Sequence, residues 1–488
     1  MKVCFDSEKY EKLQSKNILD RMQSFDGRVY IEFGGKLFDD MHASRVLPGF
    51  RPDSKVRILQ KIAKKAEIIM VVGAPDIERK KIRADYNLTY DEEVLRQIAK
   101  LREFGLLVSN VVITLYTGQK SATDFAEKLK AMGENVYIHT PTPGYPNNVE
   151  LIVSKEGYGA NPYIKVSRPV VVVTAPGPNS GKMSTCLSQL YHEYEMGIKS
   201  GYAKFETFPI WNLPVDHPIN LAYMAATADI KDKNLVDIYH LQKYHKRVTN
   251  YNRDIESFAI LKQILTKITG NSEIYNSPTE MGVNMAGYAI TDEQGCIDAS
   301  YREIIRRYYK ALCDAKQGKE QLSTSQSILK IIKKHDIDIK RRRVIDAANR
   351  KYEQSGSPSV AIELDNTSIV CGRQTDLLTA ASSAVLNCLK EMANIDDKIL
   401  LLSEDVLKGV CEYKNLLNNS NHSRLDLYDT LCALSVCSNT DKNAKLAYSM
   451  LSKLVMADAH SSHMLCSDDI KTLKLLRINI SCEPKYNN

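Results

Sequence analysis

Over the first 140 residues, short runs of β-branched and apolar side chains alternate with longer stretches whose apolar positions recur every three or four residues. Val29–Phe33, Glu67–Gly73, Asn110–Tyr116 and Asn135–Thr140 have the length and composition of strands. Between them, Ser54–Lys65, Tyr90–Phe104 and Ser121–Met132 carry the helical period, with Asp91 and Ser121 placed as caps. Strand–helix–strand repetition predicts a parallel sheet covered by helices. A hairpin is predicted next, Val149–Ser154 and Tyr163–Val166 flanking Glu156-Gly157-Tyr158-Gly159. Val170–Thr174 follows, an unbroken apolar run of the kind buried on both faces, then a small-residue loop, a helix over Met183–Lys199 and a strand over Tyr202–Thr207.

Beyond residue 235 the period is helical. Asp254–Thr269, Ala299–Ala315 and Ser325–Lys334 carry apolar stripes opposite charged faces. Gln354–Pro358 reads as a linker, and the remainder mixes strands (Ser359–Leu364, Arg477–Ser481) with helices (Leu377–Met392, Leu425–Val436, Lys445–Leu454). The expected architecture is α/β: a parallel-sheet, Rossmann- or P-loop-like region over residues 1–235, a helical part over 236–352 and a smaller α/β domain over 353–488.

Composition narrows the class without naming the chemistry. The chain has 488 residues, 43% hydrophobic and 26% charged, the balance of a globular protein. No apolar run approaches the ~18 residues of a membrane helix, and the start, Met1 to Lys9, turns charged too soon for a signal peptide. Eleven cysteines without a CxxC pair point to reduced thiols in a cytoplasm, with neither a zinc cluster nor a disulfide frame. A net charge of +7 is too mild over this length to imply a nucleic-acid partner, and nothing implies a membrane partner.

The most informative string is Val170 to Cys186, in which a buried strand leads through Thr174-Ala175-Pro176-Gly177-Pro178-Asn179-Ser180-Gly181-Lys182 into a helix. That order aims backbone N–H groups and the positive helix end at one spot, and Lys182 adds a countercharge for phosphate. Gly177, Asn179, Ser180, Gly181, Lys182, Ser184 and Thr185 are therefore the candidate cofactor-binding residues, for ATP or another nucleotide, with Ser184 the candidate ligand for Mg²⁺. The pattern departs from GxxxxGK[ST]: only three residues separate Gly177 from Gly181, and Met183 follows the lysine where a hydroxyl normally stands. A tight strand–helix turn with a solvated lysine fits the same string. No apolar strand ending in a magnesium-ordering aspartate follows the loop; the nearest, Val360 to Asp365, lies beyond the linker.

Ser200 to Pro209 resembles the corresponding strand of dethiobiotin-synthetase-like ATP-dependent enzymes. The likeness implies that Lys204, Glu206 and Thr207 emerge beside the phosphate loop, at the carboxyl ends of parallel strands. An ordinary strand end with a snorkelling lysine is the alternative. Arg45 and Arg51, in the loop Asp39 to Arg51 behind the first strand, would hold an anionic substrate by their guanidinium forks, or would pair locally. Asn252 and Arg253 would orient a ligand, unless the set Asn250 to Glu256 is explained by capping from Asp254 and local pairing. Cys186 with His192 lacks a third orienting group and reads as a buried thiol. His460-Ser461-Ser462-His463 has one-turn metal spacing without a completing acid, and Lys340-Arg341-Arg342-Arg343 reads as a solvated basic face.

Long strings, among them Glu32–Lys36, Asp39–Phe50, Thr174–Glu193, Gly201–Pro214, Asn250–Glu256 and Arg477–Tyr486, resemble the bacterial domain of unknown function 1846 family essentially from end to end. Members of that family usually carry Gly-Pro-Gly-Ser-Gly-Lys-Met, where this chain has Asn179 for the middle glycine. The resemblance implies a cytosolic bacterial protein, compatible with a homo-oligomer, and brings no established reaction. The expectation is a protein that binds a small phosphorylated or anionic ligand. As an ATP-dependent ligase or phosphotransferase it would use Lys182, Lys204 and Glu206 as catalytic residues. A non-catalytic oligomeric sensor of a phosphorylated metabolite and a purely structural assembly are the alternatives.

Overall fold

The computed structural model describes residues 3–83, 87–418 and 424–486; Met1 and Lys2 of the charged start lie outside them. Seven strands form one sheet: β1 Val29–Phe33, β2 Ala66–Gly73, β3 Leu107–Thr114, β4 Val136–Ile138, β5 Val170–Thr174, β6 Gly201–Phe205 and β7 Gly282–Val283. All pair in parallel, in the order β7-β6-β1-β5-β2-β3-β4. The runs of Val, Ile and Met explain the central strands, since both faces of β2 and β5 are buried.

The helices of this sheet are α1 Ser7–Gln23, α2 Ser54–Lys61, α3 Tyr90–Glu103, α4 Lys120–Ala131, α5 Lys182–Glu195 and α6 Asn252–Thr269. The β1–β2 connection runs through α2 in one direction across the sheet, whereas β5–β6 runs through α5 in the other. With right-handed crossovers, opposite directions place α2 and α5 on opposite faces. The loops leaving the neighbouring strands β1 and β5 therefore part at their carboxyl ends, the position where open α/β sheets bind ligands. On the α5 face the core joins Tyr30, Val171 and Val173 to Leu187 and Leu190 of α5 and to Phe258, Leu261 and Leu265 of α6.

Helix starts differ from the expected caps. Thr89 and Glu92 form a capping box for α3, Gln119 precedes α4, and α6 begins at Asn252, so Asp91, Ser121 and Asp254 all lie inside their first turns. The predicted hairpin is absent. Val149–Ile152 is a helical turn capped by Asn148, and Tyr158–Ala160 is a 3₁₀ turn. Val149, Ile152 and Val153 have helical spacing and pack on the core, while the N–H and C=O of Ile164 bond the side chain of Gln189 on α5 instead of a strand.

The chain divides into two compact units, Val3–Tyr223 with Asp232–Cys296, and Met224–Lys231 with Ile297–Asn488. The second unit holds a mixed four-stranded sheet of β8 Ser359–Glu363, β9 Ile369–Arg373, β10 Asp458–Ser461 and β11 Asn479–Cys482, ordered β9-β8-β10-β11. Helix α7 Glu293–Lys316 runs on into this unit, where α8 Val344–Ser355 and α9 Ala380–Ala393 cover the sheet. The basic run is not a solvated face at its third position. Arg342 is buried, ion-paired to Asp458 at 2.5 Å, and donates to Ala459 O at 2.9 Å and to Asn479 O, so one guanidinium joins β10 to β11. No described helix is long and apolar enough to cross a membrane.

Candidate functional site at the carboxyl edge of the parallel sheet

The loop after β5 is shaped by two left-handed residues, Asn179 (φ 58°) and Gly181 (φ 82°). Gly181 is needed twice over: its φ favours glycine, and a Cβ there would stand 3.0 Å from the Thr114 side chain at the end of β3. Thr114 Oγ1 in turn donates to Ser180 O at 2.7 Å, tying the loop to the sheet. At Gly177 a Cβ would meet Tyr90 Oη at 2.2 Å, so the tyrosine ring fixes the near side of the loop. The hydroxyls of Ser180 and Thr185 are occupied within the turn, donating to Gly177 O at 2.8 Å and Gly181 O at 3.0 Å. Ser184 Oγ lies 3.3 Å from Thr142 Oγ1. Helix α5 opens on Gly181 with no side chain capping its first amides. Uncapped amides at a helix start are the donors that an anion finds there.

Lys182, the first residue of α5, points along the sheet edge, its Nζ 3.8 Å from Glu32 Oε1. Glu32 is the residue that sequence reasoning missed. It is in register with Lys204 of β6 and Val173 of β5, on the same face as Tyr30 two residues earlier. Its other oxygen accepts from Tyr202 Oη at 2.9 Å. A carboxylate beside the loop thus comes from a residue before it in the chain, on the strand next door. The readable signal was one carboxylate inside the apolar run Val29-Tyr30-Ile31-Glu32-Phe33.

Lys204 extends the row and is ion-paired to Asp254 from the first turn of α6. Burial alone would lower this ammonium's pKa, but Asp254, Glu32 and Glu206 override it and raise it, keeping the charge. Glu206, just past β6, is pushed up to about 8 by burial and by Asp254, against the pull of Lys204. Tyr251 Oη donates to it at 3.3 Å. Lys55, in the first turn of α2, donates to Gly34 O in the loop after β1 at 3.1 Å and pairs with Asp40 at 3.3 Å. Burial would raise the Asp40 carboxyl, but Lys55, His42 and the Ala43 amide hold it below the usual range.

The edge therefore joins the loop residues, Lys182, Lys204 and Glu206 with the unforeseen Glu32 and Asp254. The other candidates hold partners of their own. Arg51 pairs with Glu11 of α1 at 3.6 Å, and Arg45 sits half-buried on the short helix Met41–Val46. Asn252 Oδ1 accepts from Lys233 N at 2.9 Å, and Arg253 pairs with Asp232 at 2.7 Å over the Tyr251 ring. Asp254, read as a cap, is the partner of Lys204. Cys186 is buried, and His192 bonds Asn161 O at 2.7 Å instead. His460 packs against Tyr309 and His463 against Tyr352, so they do not converge on a metal. Among the described residues no group of three or more His, Cys, Asp or Glu side chains is arranged to hold a metal ion.

The family description "Domain of unknown function DUF1846, N-terminal" matches residues 3–336, and its C-terminal counterpart matches residues 340–488. The chain is similar over its whole length to proteins named "UPF0371 protein". It is 47% identical to one from Clostridium tetani (strain Massachusetts / E88) and 46% identical to one from Clostridium botulinum (strain Alaska E43 / Type E3), and covers 98% of each. A relative from Clostridioides difficile (strain 630) is 46% identical, with the same coverage.

Proposed function

The chain belongs to the DUF1846 family, whose two domain descriptions span it from residue 3 to residue 488, and on that premise we propose that it binds a nucleotide or another phosphorylated metabolite at the carboxyl edge of its parallel sheet. One observation supports the reading: α5 starts with no side chain capping its first amides, and Lys182, its first residue, holds its ammonium beside Glu32 at the ends of the strands. Lys182 is already half-neutralised by Glu32, so a phosphate arriving with Mg²⁺ restores the balance that a bare phosphate would upset. Glu32 and Ser184 would address that ion, which supplies charge neutralisation at the transferred group.

The chemistry that fits is that of an ATP-dependent ligase or phosphotransferase. The loop amides and Lys182 hold phosphate. Lys204, kept cationic by Asp254, orients the second substrate, and Glu206 exchanges a proton near neutral pH. A second reading, binding without turnover, draws on Ser180 and Thr185 spending their hydroxyls inside the loop.

Calorimetry with ATP, ADP and inorganic phosphate, with and without Mg²⁺, tests the common core. Wild-type heat that Lys182→Ala removes supports it, and silence for every one of these ligands overturns it. Turnover of ATP in a metabolite screen then separates the enzyme from the sensor.

A further inference from the structure

We propose that Cys4 and Cys296 are a redox modification site, closing to a disulfide that ties the N-terminal segment to the first turn of α7. Their sulfurs lie 2.6 Å apart although the residues are 292 positions apart in sequence, and both side chains are fully buried. Neither backbone has to move for the thiols to meet. Thr291 N and Asp292 N donate to Cys4 O at 2.9 and 3.3 Å, Cys4 N donates to Pro48 O at 2.9 Å, and Phe5 bridges Ile290. Gly295 makes room, since a Cβ at that position would stand 3.0 Å from Cys4 Cβ. Bonding demands closely placed Cβ atoms, and a pre-set pair spares the distortion that makes many introduced disulfides ineffective.

The oxidant is hydrogen peroxide. One thiolate attacks a peroxide oxygen, giving a sulfenic acid and releasing hydroxide. The second thiol displaces that hydroxyl as water and forms the S–S bond. Two thiols and one peroxide become one disulfide and two waters, the sulfurs oxidised and the peroxide oxygens reduced. Val3, next to Cys4, is 65% exposed, so the route for peroxide is a local opening of the segment that holds Cys4.

The test uses the full chain treated with hydrogen peroxide, alkylated under denaturing conditions, digested and weighed. The expected product is a cross-linked peptide pair holding Cys4 and Cys296, lighter by two hydrogens and split by dithiothreitol. The oxidised protein is expected to melt about 4–10 °C above the reduced protein. That rise should vanish in Cys296→Ser and persist in Cys432→Ser, whose thiol is exposed. Recovery of Cys4 and Cys296 as alkylated peptides, while exposed cysteines oxidise, overturns the proposal. A cross-link with no change in melting overturns the latch.

Discussion

Two rows of buried charge, one in each unit, use the same groups for opposite ends. In the second unit Arg342 and Asp458 are 1% and 6% exposed, and the guanidinium spends its remaining protons on Ser481 Oγ and the carbonyls of Ala459 and Asn479. Each of its three nitrogens donates, and the guanidinium joins two strands. At the carboxyl edge of the seven-stranded sheet, Lys182 and Glu32 keep 11% and 19% of their side chains in water and stand 3.8 Å apart. A contact that long and that wet is exchangeable. Burial with dense hydrogen bonding makes a rivet, whereas the same charges left partly open at strand ends make, on the reading proposed above, a receptor.

The largest effect should come from breaking the rivet. Arg342→Met leaves buried Asp458 with only the more distant Arg302, 3.7 Å away, and is expected to cost about 3 kcal/mol in urea unfolding. The double variant with Asp458→Leu should recover part of that loss. Gly177→Ala forces Tyr90 out of the way, with an expected cost of about 1–3 kcal/mol, and in a Tyr90→Ala background the same substitution should cost much less. A neutral Gly177→Ala would mean that the loop is not shaped by that ring.

Next comes pH. Glu206 has a folded pKa of about 8, above its unfolded value, so its contribution is complete below the ordinary glutamate range and is lost as pH rises towards 8. The slope reaches about 1.4 kcal/mol per pH unit, and Glu206→Gln should flatten melting temperature against pH in that window. The smallest effect belongs to Lys182→Ala, under about 1 kcal/mol, while ligand heat disappears. If it destabilised the chain as much as Arg342→Met, the contrast between rivet and receptor would fail.

Local chemistry was legible in the sequence and distant pairing was not. The run Val170–Thr174 announced a central strand because β-branched residues without alternation suit a strand covered on both faces, and Gly181 with Lys182 announced the helix start behind it. Glu32 was silent because its meaning depends on β1 lying beside β5, a pairing of residues about 140 apart that no local pattern encodes. Asp254 was misread as a cap for the same reason: its partner, Lys204, is on β6, some 50 residues earlier in the chain. The false hairpin came from weighing the glycines of Glu156–Gly159 above the helical spacing of Val149, Ile152 and Val153. Arg342 shows the converse error, since a basic run looks solvated until one member meets a sheet.

The placing of β5 between β1 and β2 bears on how the molecule is made. During synthesis β1 and β2 leave the ribosome as non-neighbours, each with a ladder edge awaiting a strand that begins at residue 170. At ordinary elongation rates that wait lasts on the order of ten seconds, long for two apolar edges to stay unpaired. The nascent chain should therefore engage a holding chaperone until the keystone strand arrives. The loop that follows β5 arrives with it, but β6 and β7, beginning at residues 201 and 282, come later still, so the row of Lys182, Glu32 and Lys204 is complete only after β6 has joined.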